Sequence, residues 1–457
     1  MGSVARTVPR FWAQPHTRWL VVILLVALVL RIFWVASVQP DPRDGRLDDT
    51  VLYHGGGRGL ADGDGYINPY SGLPTARWSI GYPLVLSPLY LLPGDDVAAA
   101  RGLNVAAGLI MVAGVYYIGQ RLWDKRAGLL AAALIALFPS AIFFSTLVLS
   151  EVVYAACAVG VLALALAWTT PGPPPARRLL LLGLALGGTA LVRPEGIVFV
   201  GVLGVFWWVH GRDWRPAAKN VALVLVGVAV LFIPWTVRNA VELGSPVVGT
   251  TGLGGVLIQG HSPDSDGQPN FGIQVALENR FLDVELPERE VRVNNAGIQD
   301  SLEFAVNNLG PEVRLTALRF TYFVRSDRGA IDWVQHAPLP STDSEGQPVA
   351  GQRALSASTA RALGLVSDLY YYAALGIALA GVPFVLKQRR PEHILLLLPV
   401  LVYLSLWSLL FVSESRYHFP LLPFVSIAAA IGAIAAYDVV REQQAERRQA
   451  SRATGGP

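Results

Sequence analysis

The sequence predicts an all-α polytopic membrane protein, in which a bundle of about ten transmembrane helices carries an extracytoplasmic cap of short helices. The composition is the first observation, because only 15% of the 457 residues are charged, against about 25% in soluble domains. The second is a mean hydropathy of +0.44, with apolar runs near the ~20 residues needed to cross a bilayer recurring along the chain. The third is that two long polar segments interrupt these runs.

The first apolar run, residues 21–38, follows a basic N-terminal stretch. A signal peptide has a shorter apolar core and a cleavage site of small residues. This run is longer and ends in Gln-Pro-Asp-Pro, so we expect a retained first transmembrane helix.

Ten spans are predicted, near residues 19–38, 99–120, 128–146, 150–168, 179–193, 196–210, 219–236, 364–386, 393–412 and 418–437. The apolar stretch GYPLVLSPLYLL at 81–92 is too short to span and predicts a re-entrant or interfacial helix.

The positive charges fix the predicted orientation. With the N-terminus in the cytoplasm, alternate short loops on that side hold clusters of arginine and lysine, as the positive-inside rule requires. These clusters are Arg6, Arg10 and Arg18; Arg121, Lys125 and Arg126; Arg177 and Arg178; Arg212, Arg215 and Lys219; Lys387, Arg389 and Arg390; and the tail from Arg441 to Arg452. We therefore expect both termini in the cytoplasm and a cell-membrane location.

The predicted domain organisation follows from this orientation. Residues 1–437 form the transmembrane bundle, with a first external loop at 39–98 and an external cap segment at 237–363. Residues 438–457 form a basic cytoplasmic tail. The cap segment includes an amphipathic stretch near 311–324, which predicts a helix lying on the membrane.

Several function classes are excluded by missing motifs. The single cysteine, Cys157, rules out an intramolecular disulfide and a cysteine-based metal site. No phosphate-binding GxxxxGK[ST] loop and no HExxH or GxSxG motif occurs. No basic stretch alternates with aromatic residues, so we expect no nucleic-acid partner. Chemistry is therefore expected at the outer membrane face, with a substrate that needs no cytosolic nucleotide.

Polar clusters follow the predicted outer ends of several spans, where ionisable groups are costly and are functional candidates by default. They are Asp48 and Asp49; Ser150 and Glu151; Arg193 and Glu195; Arg238 and Asn239; and Glu414, Arg416, Tyr417 and His418. Each has a structural alternative: acids at a helix start, a structural ion pair, or anchors for lipid headgroups. His54 is more simply a packed residue than a metal ligand. Their shared side of the membrane predicts an outward-facing polar cavity.

The order of these motifs resembles the GT-C membrane glycosyltransferases, and within them the family of the protein O-mannosyltransferases and the aminoarabinose transferases (glycosyltransferase family 39-like). An acid pair lies just outside the first helix, with Tyr53 four residues after Asp49 and with Asp48 as the alternative acid. Similar motifs then follow in order: Gly63-Asp64-Gly65-Tyr66, Gly81-Tyr82-Pro83, FPSAIFFSTLVLSE at 138–151, LVRPEG at 191–196, PWTVRN at 234–239 and ESRYHFPLLPF at 414–424. The GGGRG run at 55–59 departs from the family pattern; it predicts a loop, or a place where a substrate approaches the backbone.

The resemblance implies a hexosyl or pentosyl transferase that moves a sugar, with inversion, from a polyprenyl-phosphate donor to a lipid, glycan or protein acceptor on the outer face. Asp49, or Asp48, would be the general base. Arg416 first, then Arg238 and Arg193, would stabilise the leaving phosphate. The remaining predicted substrate-binding residues are Tyr53, His54, Glu151, Asn239 and Tyr417. The sequence argues for no cofactor, although Asp48, Asp49, His54 and Glu151 could supply ligands to a divalent metal.

Other classes stay open at this point. A transporter or flippase of a lipid-linked or anionic substrate would carry inverted repeats and broken helices near the midplane, and the sequence shows no such repeat. An O-antigen ligase or polymerase would concentrate its polar residues in the large external loop. A non-catalytic assembly scaffold is the third alternative.

Overall fold

The computed structural model describes residues 15–43, 48–169, 172, 174–336, 341–342, 348–349 and 354–454. This part of the chain is mostly helical. Its α-helices are α1 (Pro15–Ser37), α2 (Asp48–Asp62), α3 (Gly81–Tyr90), α4 (Asp96–Leu122), α5 (Lys125–Leu137), α6 (Pro139–Phe143), α7 (Glu151–Thr169), α8 (Ala176–Val192), α9 (Val198–Gly211), α10 (Trp214–Glu242), α11 (Leu253–Gly260), α12 (Phe271–Asn279), α13 (Glu288–Asn307), α14 (Leu309–Val324), α15 (Gly329–His336), α16 (Ala357–Lys387), α17 (Ile394–Leu409) and α18 (Leu422–Thr454).

Short elements complete the described structure. Four 3₁₀ turns cover Phe144–Thr146, Pro194–Ile197, Pro391–His393 and Ser415–Leu421. The strands β1 (Ser341–Thr342) and β2 (Pro348–Val349) form a two-residue antiparallel ladder.

The predicted multi-pass architecture is confirmed. Among the described residues, eight helices are long and apolar enough to cross a membrane, and the pair α5–α6, bent by 60°, makes a ninth. These nine coincide with nine of the ten predicted spans, and the tenth, at 179–193, is α8. At 17 residues, α8 measures about 26 Å at 1.5 Å per residue, close to the thickness of the hydrocarbon layer.

Small residues bring the long helices together. α16 packs along α18, where a Cβ on Gly432 would lie 2.7 Å from the Cα of Gly381. α8 and α10 approach in the same way, because a Cβ on Gly183 would lie 2.2 Å from the carbonyl oxygen of Val224. Such contacts hold membrane helices by close van der Waals packing, since lipid supplies no hydrophobic drive between them.

The expected loop at the glycine run is wrong, because residues 55–59 lie within α2. Gly55 and Gly56 face the chain itself: a Cβ on either would lie 2.6 Å from the side chain of Pro69 or of Tyr66, respectively. The loss of helix propensity, about 1 kcal/mol per glycine, therefore accompanies tight packing of α2 against the loop that follows it.

The short apolar segment at 81–92 forms α3, a ten-residue helix that packs on α2, α4 and α8. α2 and α3 both lie within the first predicted external loop. The second such segment contains α11 to α15, and the predicted amphipathic helix within it is α14. Glu290 of α13 accepts hydrogen bonds from Thr75 Oγ1 (2.7 Å) and from the backbone N–H of Ala76 (2.8 Å), so the two segments contact each other.

The basic C-terminal segment is not separate from the bundle in structure. α18 continues through residue 454, and its Asp438 accepts hydrogen bonds from both terminal nitrogens of Arg126, at 2.9 and 2.7 Å. This pair ties α18 to α5 at the end of the bundle predicted to face the cytoplasm.

Candidate active site

A cavity of about 420 Å³ lies between the membrane bundle, the first external loop and the cap. Its lining includes six of the ten side chains that the sequence predicts for the site: Asp49, Tyr53, Glu151, Arg193, Arg416 and Tyr417. These residues come from α2, from α7, from the connection after α8, and from the 3₁₀ turn before α18. Chain segments far apart in sequence therefore meet at one concave, mixed polar and apolar surface.

Asp49 is held from two directions. Its Oδ2 accepts a hydrogen bond from Arg416 Nη1 at 2.8 Å, and its Oδ1 accepts one from the indole N–H of Trp78 at 3.2 Å. The side chain is 24% exposed, so the carboxylate still reaches the cavity. Two donors, one of them charged, therefore fix the orientation of the carboxylate.

Arg416 connects the acids of the site. Its Nε pairs with Glu414, and its Nη1 also lies 3.9 Å from Glu151 Oε1. The guanidinium stacks over the ring of Trp333, with 4.1 Å between its Cζ and the ring centroid. A planar guanidinium suits this place, because it contacts carboxylates at its edge and an aromatic ring at its face.

A second ion-pair group lies beside the Asp49–Arg416 pair. Arg193 Nη1 lies 3.0 Å from Glu151 Oε1, and its Nε lies 2.6 Å from Glu195 Oε1. Glu151 is 2% exposed, and no protein donor among the described residues bonds its Oε2. A buried carboxylate oxygen without a protein donor marks a place where a ligand or water proton would bind.

Aromatic side chains shape the rest of the cavity. Tyr53 OH accepts a hydrogen bond from Ser150 Oγ at 3.3 Å, and burial raises the pKa of Tyr53, so it stays protonated. The ring of Tyr417 stacks on that of Trp407, with centroids 4.2 Å apart. Phe411 extends this aromatic surface. The cavity therefore has an apolar side next to its charged cluster.

Three predicted substrate-binding residues lie outside the lining. Arg238 donates to the backbone carbonyls of Tyr66 (2.6 Å) and Thr75 (2.8 Å). Asn239 donates to the carbonyl of Val247 at 2.9 Å. These contacts brace the first external loop and the end of α10, so the position of neither residue supports direct substrate contact.

His54 also turns away from the cavity. Its Nδ1 lies 3.0 Å from Tyr90 OH, and burial lowers its pKa below the ordinary value, which favours the neutral ring. Asp48 is the first residue of α2, and its side chain lies outside the described residues. The choice between Asp48 and Asp49 therefore stays a prediction.

Sequence reasoning missed two neighbouring residues of the site. Arg77 and Trp78 line the cavity, and Arg77 Nη2 pairs at 2.8 Å with Glu278, which is not part of the cavity lining. The available signal was an arginine–tryptophan pair directly before the apolar segment at 81–92. A charged residue followed by an aromatic at such an edge is typical of a membrane interface.

The site offers no assembled metal cluster in the part of the chain that the structure describes. The three suggested ligands whose side chains are described do not converge, because Arg416 lies between Asp49 and Glu151 and His54 faces Tyr90. The described residues therefore do not fit a divalent metal held by these side chains.

The multi-pass helical bundle, with its polar cavity under a helical cap, has the all-α architecture of the GT-C fold that the sequence resemblance predicts. Residues 79–237 match the family model of the dolichyl-phosphate-mannose-protein mannosyltransferases. No curated protein sequence matches the chain.

Solved structures are similar over nearly the whole chain. The archaeal oligosaccharyltransferase AglB from Archaeoglobus fulgidus, in complex with an inhibitory peptide and a dolichol-phosphate, is 16% identical; the match covers 98% of this chain and 53% of that one, with a TM-score of 0.54. A structure of the Archaeoglobus fulgidus oligosaccharyltransferase in its apo form is also 16% identical. That match covers 96% of this chain and 53% of the other, with a TM-score of 0.54. ArnT from Cupriavidus metallidurans, bound to undecaprenyl phosphate, gives 15% identity, 92% and 78% coverage, and a TM-score of 0.45. The chain thus spans about half the length of the oligosaccharyltransferase.

Proposed function

We propose that the protein is a glycosyltransferase that moves a hexose or pentose from a polyprenyl-phosphate carrier to an acceptor at the outer face of the cell membrane. One observation carries this proposal. The Asp49 carboxylate is exposed to a cavity in a GT-C fold, and an arginine and an indole N–H hold it in place. A fixed carboxylate beside cationic groups is what a transfer from a phosphate leaving group requires.

A lipid-linked donor suits the shape and lining of the cavity. Trp407 and Phe411 provide an apolar surface beside the arginines of the cavity. A molecule with a hydrocarbon chain and an anionic headgroup could therefore contact the apolar surface and the arginines at the same time. The oligosaccharyltransferase of similar fold binds a dolichol-phosphate, and the matching family model describes enzymes that use dolichyl-phosphate-mannose. Both favour a polyprenyl-phosphate donor.

Asp49 is the proposed general base. As the acceptor oxygen attacks the anomeric carbon, its proton passes to Asp49 and the bond from that carbon to the phosphate oxygen breaks. Polyprenyl phosphate leaves on the opposite side, which inverts the anomeric centre. Residues i and i+1 on a helix point about 100° apart, so Asp48 and Asp49 are not placed like the two carboxylates that flank one bond in a glycosidase.

Arg416 links base activation to donor binding. It donates a hydrogen bond to Asp49 Oδ2 at 2.8 Å, and a carboxylate oxygen that accepts a charged hydrogen bond is less available to take up a proton. A donor phosphate beside Arg416 would compete for the same N–H groups. We propose that Arg416 then moves its Nη1 hydrogen bond from Asp49 to the phosphate, which frees the base when the donor is in place.

Arg77 is the second proposed phosphate ligand. Arg193 and Arg416 are each balanced by carboxylates that line the cavity, whereas the acid partner of Arg77 lies outside the lining. Arg77 therefore contributes positive charge to the cavity with less local compensation. It replaces Arg238, whose nitrogens are used on backbone carbonyls.

The proposed orientation places both termini in the cytoplasm and the cavity outside. The distribution of arginine and lysine supports it, as does the position of the Arg126–Asp438 pair, in which the residues belong to the loop and tail assigned to the cytoplasm.

The decisive experiment compares the cell-envelope glycans and glycoproteins of a deletion strain by mass spectrometry. The strain carries wild-type protein, Asp49→Asn, or no copy. We expect a defined sugar to disappear in the deletion strain, to return with wild-type protein and to stay absent with Asp49→Asn. Complete restoration by the Asn variant would reject the general-base role. Loss of the sugar in the deletion strain together with a lipid-linked substrate trapped on the inner leaflet, and restoration of both by Asp49→Asn, would favour a flippase.

A further inference from the structure

A second cavity, of about 520 Å³, lies beside the first one. The two share Trp333 and Glu414 in their linings, so these two side chains form the wall between them. The rest of the second cavity comes mostly from the connection between α14 and α15, from α15 and from α16, with Gln268 and Ser415 completing the lining. It therefore sits between the cap and the bundle, next to the proposed catalytic cavity and not part of it.

The wall places the second cavity close to the proposed base. Arg416 stacks on Trp333 at 4.1 Å, pairs with Glu414, and donates to Asp49 at 2.8 Å. One guanidinium group thus separates the wall from the catalytic carboxylate. The start of α15 also packs closely on Arg416, because a Cβ on Gly329 would lie 2.9 Å from the backbone nitrogen of Arg416.

The charges of the second cavity are largely matched within the protein. Arg328 donates two hydrogen bonds to Asp368, one of them from Nε at 2.9 Å. Arg325 Nη2 donates to the amide oxygen of Gln268 at 3.0 Å. Two arginines and three carboxylates line the cavity, so it has little net charge to attract an ion. Its lining places hydrogen-bond donors and hydrogen-bond acceptors close to one another.

Aromatic surface accompanies these polar groups. Tyr372 is 48% exposed and lines the cavity together with Trp333. Matched charges, an amide and aromatic faces suit a neutral polyhydroxyl ligand: its hydroxyl groups can both donate and accept, and its apolar ring face can stack. A charged peptide or a phosphorylated headgroup would leave some of these groups unmatched.

We propose that the second cavity binds a neutral sugar, namely the non-reacting part of a glycan acceptor, and directs the reacting hydroxyl past the wall towards Asp49. This assignment rests on the proposed transferase function. The sugar of the donor has the same chemistry and is the second source that an experiment must separate from the acceptor.

The test measures binding to the full-length protein in detergent micelles, by saturation-transfer NMR with mannotriose as the neutral probe. The variants are Tyr372→Ala and Asp332→Asn in the second cavity. Matched controls are Tyr437→Ala, an exposed tyrosine on α18, and Asp300→Asn on the surface of α13. We expect both cavity variants to weaken binding by about tenfold, which corresponds to about 1.4 kcal/mol, and both controls to bind like wild type.

Competition experiments separate the two sources of sugar. Neither undecaprenyl phosphate nor undecaprenyl-phosphate-mannose should displace mannotriose if the site belongs to the acceptor. Displacement by the mannosylated lipid alone would reassign the cavity to the donor and overturn the acceptor assignment.

Three further results would overturn the proposal: no saturable mannotriose binding, equal binding by all four variants, or variant-sensitive binding of a serine- and threonine-rich peptide in place of the sugar. Because this readout needs no turnover, its failure is distinguishable from failure of the transferase function, which the glycan profiles of the deletion strain test.

Discussion

The carboxylate of Asp49 lies 2.8 Å from the guanidinium of Arg416, although 367 positions separate the two residues in the chain. The contact joins the first turn of α2 to the 3₁₀ turn that precedes α18. The proposed base and the proposed phosphate ligand are therefore already paired before a substrate is present. Substrates compete with this contact: the donor phosphate competes for Arg416, and the acceptor hydroxyl competes for Asp49. The predictions for the two residues follow from that competition.

Asp49→Asn should abolish proton acceptance while keeping the size and most contacts of the side chain. We expect turnover to fall by about 10²–10⁴-fold, and the affinity for undecaprenyl phosphate to remain within a few-fold of wild type. Sugar transfer in proteoliposomes and lipid binding by the purified protein measure the two effects. Asp48→Asn is the comparison: if it alone loses turnover, the base is one residue earlier.

Arg416→Lys should keep the positive charge and remove the planar fork that contacts Asp49, Glu414 and Trp333 together. We expect weaker binding of undecaprenyl phosphate and slower transfer. Arg416→Gln should also unfold at lower temperature, because the partly buried Asp49 and Glu414 lose their charged partner, at a cost of about 1–3 kcal/mol. Arg280→Lys, in an exposed pair on the cap, is the matched control and should behave like wild type. Equal lipid binding by all the variants would contradict a phosphate contact.

Much of the fold could be predicted because lipid imposes simple length and composition rules on the chain. Nine predicted spans coincide with helices or a bent pair of helices long enough to cross the bilayer. The helical structure of the glycine run at 55–59 could not be predicted from length and composition. Its helical state depends on Pro69 and Tyr66 folding back against α2, and no local propensity reports such a tertiary contact.

The candidate site could also be predicted only in part. Polar clusters at span ends were visible in the sequence, and six of the predicted side chains meet in one cavity. The direction of each side chain was not visible. Arg238 and Arg416 have the same chemistry and the same kind of position, yet one of them turns to backbone carbonyls and the other to the cavity.

Arg238→Ala should therefore affect stability and not the affinity for lipid phosphate. The variant loses two charge-assisted hydrogen bonds to the carbonyls of Tyr66 and Thr75, at roughly 2 kcal/mol each. We expect a lower unfolding temperature in detergent and an unchanged Kd for undecaprenyl phosphate below that temperature. A weaker Kd with unchanged stability would return Arg238 to the phosphate site.

Gly56→Ala should destabilise the protein even though alanine is the better helix former. A Cβ at this position would lie 2.6 Å from the ring of Tyr66, and overpacking of this kind costs about 1–3 kcal/mol. The gain in helix propensity, about 1 kcal/mol, offsets only part of that cost. Gly102→Ala on α4 has open space around its Cβ and should be neutral or stabilising. Thermal unfolding of both variants decides the matter, and a stabilised Gly56→Ala protein would contradict the packing role of the run.

His54 should make stability depend on pH. Burial lowers the pKa of His54 in the folded protein below the ordinary value of 6.5, so the unfolded chain binds the proton more readily. The neutral ring therefore contributes stability above pH 6.5, and this contribution is lost as the pH falls through the unfolded pKa towards the lower folded one. We expect the unfolding temperature of wild-type protein to drop between pH 7 and pH 5 by more than that of His54→Gln, which cannot titrate in this range. Identical pH profiles would show that burial does not perturb this histidine, and a loss of transfer activity at pH 7 in the Gln variant would restore His54 to the substrate site.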